Sequence, residues 1–211
     1  MPGISSRLPK DIEVLGVSLP GRESLSRLPM NHGDDVDRTL TILTEQLGRL
    51  TPAPSVWFGH SLGGALALAL AARVDPRPHR LVISAYPPGG RSLWSAADAD
   101  DHQLGELMTS SGAPDQLMQI LPWRNHATAI LRADLRFGRE IADAARDGAV
   151  LTDVRIDYVG AREDLVVPGE AMRGWLDERS DGTSFQLVRG DHGYVVRDVV
   201  DEVLIDLLSQ P

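Results

Sequence analysis

The chain has 211 residues, 42% of them hydrophobic, a formal net charge of -9 and no cysteine. That length and apolar content suit one globular domain with a sizeable core, and the acidic balance with no basic run argues against nucleic acid, which is held by clustered lysine and arginine. Without cysteine, disulfides, thiolate metal sites and a cysteine nucleophile are excluded, and the longest unbroken apolar run, Ala65 to Ala72, is far short of the roughly 20 residues of a membrane helix.

Ile12 to Leu19 reads as a strand, stopped by Pro20-Gly21. From Asp34 to Leu50 the spacing puts Val36, Leu40, Leu43, Leu47 and Leu50 on one helical face. Ser55 to Phe58 is short, apolar and β-prone, and Ala65 to Arg73 is rich in strong helix formers. Arg80 to Ala85 reads as a further strand, ended by Pro87-Pro88-Gly89-Gly90. Between Arg91 and about Val150 the pattern is helical in pieces, with no strand signal, which predicts an inserted helical cap. Arg155 to Val159 and Phe185 to Val188 return to strand character. The last segment, Arg197 to Ser209, carries Val199, Val200, Val203, Leu204, Leu207 and Leu208 at helical spacing. This alternation predicts an α/β protein with a largely parallel sheet. No signal peptide is visible, so the expectation is a soluble, cytoplasmic protein, and its size suits a monomer.

Between the second strand and its helix lies Gly59-His60-Ser61-Leu62-Gly63, the G-x-S-x-G form of a nucleophile elbow. A serine in that strained turn needs little bulk two residues to either side, which glycine supplies. Ser61 is the candidate nucleophile. A hydroxyl is a weak nucleophile at neutral pH and needs a histidine base, itself oriented by a carboxylate. Of six histidines, only His192, in Gly190-Asp191-His192-Gly193, follows a predicted strand on a flexible loop. His32 lies in a polar loop, His79 in an Arg/Pro-rich connection, and His102 and His126 in the cap. His60, adjacent to Ser61, is expected to point away from it, as a surface or packing residue.

The loop after Arg155 to Val159 places Glu163 and Asp164 at a strand's carboxyl end. Asp164 is the first choice for the acid and Glu163 its rival; no Asp or Glu occurs between Ser84 and Ala97, the other usual position. Asp191 reads as a loop-capping carboxylate. The order Ser61, Asp164, His192 is that of an α/β-hydrolase. Asp98, Asp100, Asp101 and His102 could suggest a metal, but a helix N-terminal cap explains the same carboxylates, and no metal or cofactor is expected.

These pieces resemble the type II thioesterases that accompany polyketide and nonribosomal peptide synthases. The resemblance rests on Leu19-Pro20-Gly21-Arg22-Glu23, Phe58 to Gly64, Leu131-Arg132-Ala133-Asp134-Leu135, Gly160 to Pro168 and Gly190-Asp191-His192. It implies an α/β-hydrolase fold spanning 1–211, with a lid at about 91–150. It also implies hydrolysis of acyl thioesters from the phosphopantetheine arm of acyl or peptidyl carrier protein domains. In that family pattern Ser61 attacks, His192 moves the proton, Asp164 orients the ring and the Leu62 N–H supports the oxyanion. Trp94, Met108, Met118, Trp123 and Phe137 are candidates for the lid lining, and equally for cap core.

The family's first central strand and its glycine-containing oxyanion loop have no counterpart here, since Met1 to Lys10 aligns with the helix that follows them. The expectation is an N-terminally shortened form lacking about 20 to 40 residues of the pattern. Two other readings stay open: a catalytically impaired homologue acting as a carrier-protein binding module, and an esterase on small free esters.

Overall fold

The computed structural model describes residues 4–19, 34–50, 55–178, 183–196 and 201–210. Helix α1, Asp34–Gly48, forms on the predicted stripe: Val36, Leu40 and Leu43 are buried and Leu47 packs against the core. Leu50 lies past the helix end and is exposed. Strand β1 (Val56–His60) leads into α2 (Leu62–Ala71), followed by β2 (Arg80–Ser84), β3 (Arg155–Ala161) and β4 (Thr183–Val188). The strands form one parallel sheet in the order β1-β2-β3-β4. Their carboxyl ends therefore share one edge, where ligands of open α/β sheets bind.

Each face of the sheet is covered, which is why these strands read as near-continuous apolar runs. Leu81, Ile83, Ile156 and Tyr158 pack with α2 on one face. Helix α2 is apolar all round, from Gly64 to Ala71, because it lies between that face and a long helix described below. Val82, Val159, Ala161 and Val188 pack on the other face with Tyr194 and with Leu204, Ile205 and Leu208 of the C-terminal helix Glu202–Ser209. Within this second layer the Arg80 guanidinium pairs with Asp157, and it donates to the Gln210 carbonyl at 2.9 Å, fastening the end of that helix. Val203, expected on the buried stripe, is exposed, and Val199 and Val200 lie outside the described residues.

Between β2 and β3 the chain is helical, as the pattern predicts. It comprises a 3₁₀ segment, Gly90–Asp98, then α3 (Asp101–Ser110), α4 (Asp115–Met118) and α5 (Leu121–Ala149). Asp100 caps α3 in a reciprocal box with Gln103, while Asp101 and Asp98 pair with Arg132 and Arg139 of α5 at 2.8 and 2.7 Å. The acidic group thus serves helix capping and helix pairing. Trp94 and Phe137 are fully packed core, and Met118 is buried; Met108 and Trp123 are partly exposed. No helix among the described residues is long and apolar enough to cross a membrane.

Helix α5 crosses α2 closely enough that a Cβ at Gly148 would lie 1.9 Å from the Leu68 carbonyl oxygen. Gly148→Ala is therefore expected to cost about 3 kcal/mol, at the upper end for overpacking, because backbone rather than a side chain must give way. Urea denaturation reads this directly, as a fall in midpoint with little change in slope.

One expected strand does not form. Ile12 to Leu19 runs without ladder partners, with Val14 52% and Val17 50% exposed. Its β-prone composition meets no neighbouring strand among the described residues, and a strand without a ladder has nothing to pay for its order.

Candidate active site

At the carboxyl edge, β1 ends at His60 and α2 starts at Leu62, leaving Ser61 at φ 53° and ψ -117°. Such backbone persists only where the surroundings hold it. Here the Ser61 N–H donates to the Ser84 carbonyl at 2.8 Å, and the Gly64 N–H returns to the Ser61 carbonyl at 2.9 Å. The turn is so tight that a Cβ at Gly59 would lie 2.1 Å from the Gly63 carbonyl oxygen. A Cβ at Gly63 itself would meet nothing within 4 Å, so only the glycine before the serine is sterically required, contrary to the symmetric expectation. Leu62, in the first turn of α2, sits where a helix leaves its N–H groups unbonded.

Asp164 stands on the loop after β3 and is buried. Its Oδ1 accepts from the Val166 and Val167 N–H groups, each at 2.8 Å, and its Oδ2 meets His192 Nδ1 at 2.8 Å. That leaves Nε2 as the imidazole nitrogen for proton transfer. Glu163 turns the other way: its carboxylate accepts from the Gly190 N–H at 2.5 Å while its own N–H donates to the Gly190 carbonyl at 3.1 Å. Glu163 braces the loop that carries His192 and does not orient the ring. Asp191 accepts from the Gly193 N–H at 3.0 Å, an Asx-type turn. No hydrogen bond joins the Ser61 hydroxyl to His192 among the described residues; contacts of this kind often tighten only around a substrate.

His60 is more than packing. Its ring lies 4.9 Å from that of His192 and edge-on to Tyr194 at 5.5 Å, and its Nδ1 is 2.8 Å from Ser84 Oγ. Burial first, and then the charge of His192, pull its pKa down from 6.5 to about 3. A histidine depressed in the fold and ordinary when unfolded leaves stability whole above pH 6.5, and drains it as pH falls toward 3. The slope is about 1.4 kcal/mol per pH unit in that window. Guanidinium unfolding at pH 7, 5 and 4, compared with His60→Asn, is expected to show the parent losing stability more steeply. Equal slopes in the two proteins would contradict this assignment.

The remaining expected pieces are spread out. His79 is exposed at the start of β2, where its Nδ1 accepts from the Ser55 N–H at 3.3 Å, and His102 and His126 are exposed on α3 and α5. His32, and Pro20 to Glu23 of the Leu-Pro-Gly-Arg element, lie outside the described residues. In the Leu-Arg-Ala-Asp element, Arg132 donates to the Ala99 carbonyl at 3.0 Å as well as to Asp101, so it ties α5 to the start of α3. A groove of about 620 Å³ among α3, α4 and the start of α5, lined in part by Asp101, Glu106, Met118 and Arg124, contains none of Ser61, Asp164 or His192. Ser84 and Tyr194 escaped the sequence reading, because nothing in their local pattern marks them as neighbours of the base.

The thioesterase domain family matches residues 3–210. A probable cadicidin biosynthesis thioesterase of Streptomyces griseus is 35% identical over 199 residues, which cover 92% of this chain and 54% of that protein. The AMB antimetabolite synthetase AmbE of Pseudomonas aeruginosa is 30% identical over 203 residues, 92% of this chain but 9% of that much longer protein. Among solved structures, the RedJ thioesterase from the prodiginine biosynthetic pathway in Streptomyces coelicolor superposes with a TM-score of 0.75 at 22% identity. That match covers 98% of this chain and 82% of RedJ, and it shows a shared fold. The chain belongs to the thioesterase domain family, and the type II thioesterases of polyketide and nonribosomal peptide synthesis are the members it resembles.

Proposed function

We propose that this chain is a serine thioesterase that hydrolyses acyl thioesters held on the phosphopantetheine arm of acyl or peptidyl carrier protein domains, clearing stalled or misprimed synthases. The Asp164–His192 hydrogen bond, beside a serine held on a strained strand-to-helix turn, carries this assignment. Ser61 Oγ attacks the thioester carbonyl carbon as its proton passes to His192 Nε2, and Asp164 fixes the ring tautomer and steadies the imidazolium. The oxyanion meets the Leu62 N–H at the positive end of α2. Collapse breaks the C–S bond, and the imidazolium gives its proton to the departing sulfur, freeing the carrier thiol. Water, losing a proton to His192, then attacks the ester on Ser61; the imidazolium returns that proton to Ser61 Oγ as the C–O bond breaks and the acid is released.

The helical segment from Gly90 to Ala149 serves as the lid, a role supported by its place between β2 and β3. The pathway class is supported by relatives named for biosynthetic thioesterases. The test compares kcat/KM for an acyl-pantetheine thioester and a p-nitrophenyl ester of the same acyl chain. Preference for the thioester is expected, whereas preference for the free ester would make the protein a carboxylesterase. Folded protein that shows no Ser61-dependent labelling by a fluorophosphonate would leave only a binding module.

A further inference from the structure

Ser84 closes β2 in register with His60 at the end of β1, so the two side chains stand side by side on one face of the sheet. Three bonds converge on this serine. Its carbonyl accepts from the Ser61 N–H at 2.8 Å, its Oγ lies 2.8 Å from His60 Nδ1, and the same Oγ is hydrogen-bonded to the Tyr194 hydroxyl. Tyr194 lies two residues beyond His192 and is 2% exposed. The backbone of His192 also acts on the His60 ring by hydrogen bonding.

We propose that Tyr194, Ser84 and His60 form a directed hydrogen-bond chain that positions His192 over the nucleophile elbow, with Ser84 as the hub shared by the elbow and the histidine loop. The assignment of His192 as the base rests on the proposed function; the chain of bonds does not.

The direction follows from donor and acceptor counting. A neutral imidazole has one of each. With Nδ1 set against Ser84 Oγ, the chain assigns the ring hydrogen to Nε2, toward the His192 backbone, and makes Nδ1 the acceptor. Ser84 must then donate its hydroxyl hydrogen to His60, which leaves its lone pairs to accept from the Tyr194 O–H. Protonation of His60 would break this order at Nδ1. Burial, with His192 beside the ring, opposes that protonation; Asp164 and the backbone bond to His192 favour it.

A second support is needed because of the path of the histidine loop. His192 follows β4, at the opposite edge of the sheet from β1, yet its ring packs on His60. Asp164 and Glu163 hold the loop from the β3 side; His60 and Tyr194, through Ser84, hold it from the β1 and β2 side. A displacement of about 1 Å at a reacting group can cost roughly 100-fold in rate.

Tyr194→Phe and Ser84→Ala test this, since each removes a hydroxyl while keeping the packed shape. In ¹⁵N spectra of histidine-labelled protein, His60 is expected as a neutral Nε2–H tautomer from pH 5 to 8. Tyr194→Phe should mix its tautomers and shift the His192 ring signals. An Nδ1–H tautomer at His60 in the parent, or unchanged spectra in Tyr194→Phe, overturns the proposal. In turnover of acyl-pantetheine, each variant is expected to lose about tenfold in kcat with KM held within about twofold, and the double variant to be no worse than Ser84→Ala alone. Additive losses, or kcat within about twofold of the parent, overturn it equally. If the parent shows no Ser61-dependent turnover, the proposed function falls, and the spectra still decide the hydrogen-bond chain.

Discussion

Ser61→Ala is expected to lower kcat for an acyl-pantetheine thioester by about 10⁴-fold or more while leaving the fold intact. The size follows from the role: the alanine keeps the Ser61 N–H bond to Ser84 and the tight turn but has no oxygen to form the acyl-enzyme. On the proposed mechanism, what survives is catalysis by the Leu62 N–H and by binding alone. Steady-state hydrolysis with a free-thiol readout measures this, with circular dichroism to show that the variant is folded. A variant that keeps more than about 1% of parental turnover would remove Ser61 from the mechanism.

Asp164→Asn is expected to cost about 10⁴-fold in kcat with KM little changed. The amide oxygen can keep the two bonds from the Val166 and Val167 N–H groups. Its NH₂ then faces His192 Nδ1, which must become the acceptor, and the ring hydrogen moves to Nε2. That nitrogen can no longer take the serine proton. Glu163→Gln is the matching control: an amide oxygen still accepts from the Gly190 N–H, so a loss of no more than a few-fold is expected. If the Glu163 variant proved the more damaged of the two, the acid would have been assigned to the wrong neighbour.

The two adjacent carboxylates show where sequence reasoning runs out. Glu163 and Asp164 share a loop, a charge and a place after the same strand, and local pattern ranks them only weakly. They separate when the loop folds, because Asp164 turns inward onto two backbone N–H groups and the imidazole while Glu163 reaches across to Gly190. The four strands of the sheet were legible because parallel strands covered on both faces are written as short apolar runs. Ile12 to Leu19 is written much the same way and forms no strand, since β-propensity describes fitness for a ladder and supplies no partner. Gly59 and Gly63 look equivalent in the motif, yet only at Gly59 does backbone fill the space of a Cβ.

Residue types, their order along the chain and their periodicity were enough to establish an α/β protein with a helical insertion, a serine on a strand-to-helix turn, and a histidine and a carboxylate after later strands. These are properties of short segments, and short-range sterics and hydrophobic period encode them. Tertiary structure alone decided that His60 lies against His192, that Ser84 serves the elbow with its backbone and His60 with its side chain, and that Tyr194 closes the set. The two bonds to the Ser84 hydroxyl join residues 24 and 110 positions apart. They depend on strand register and on the path of the loop after β4, which no local pattern records.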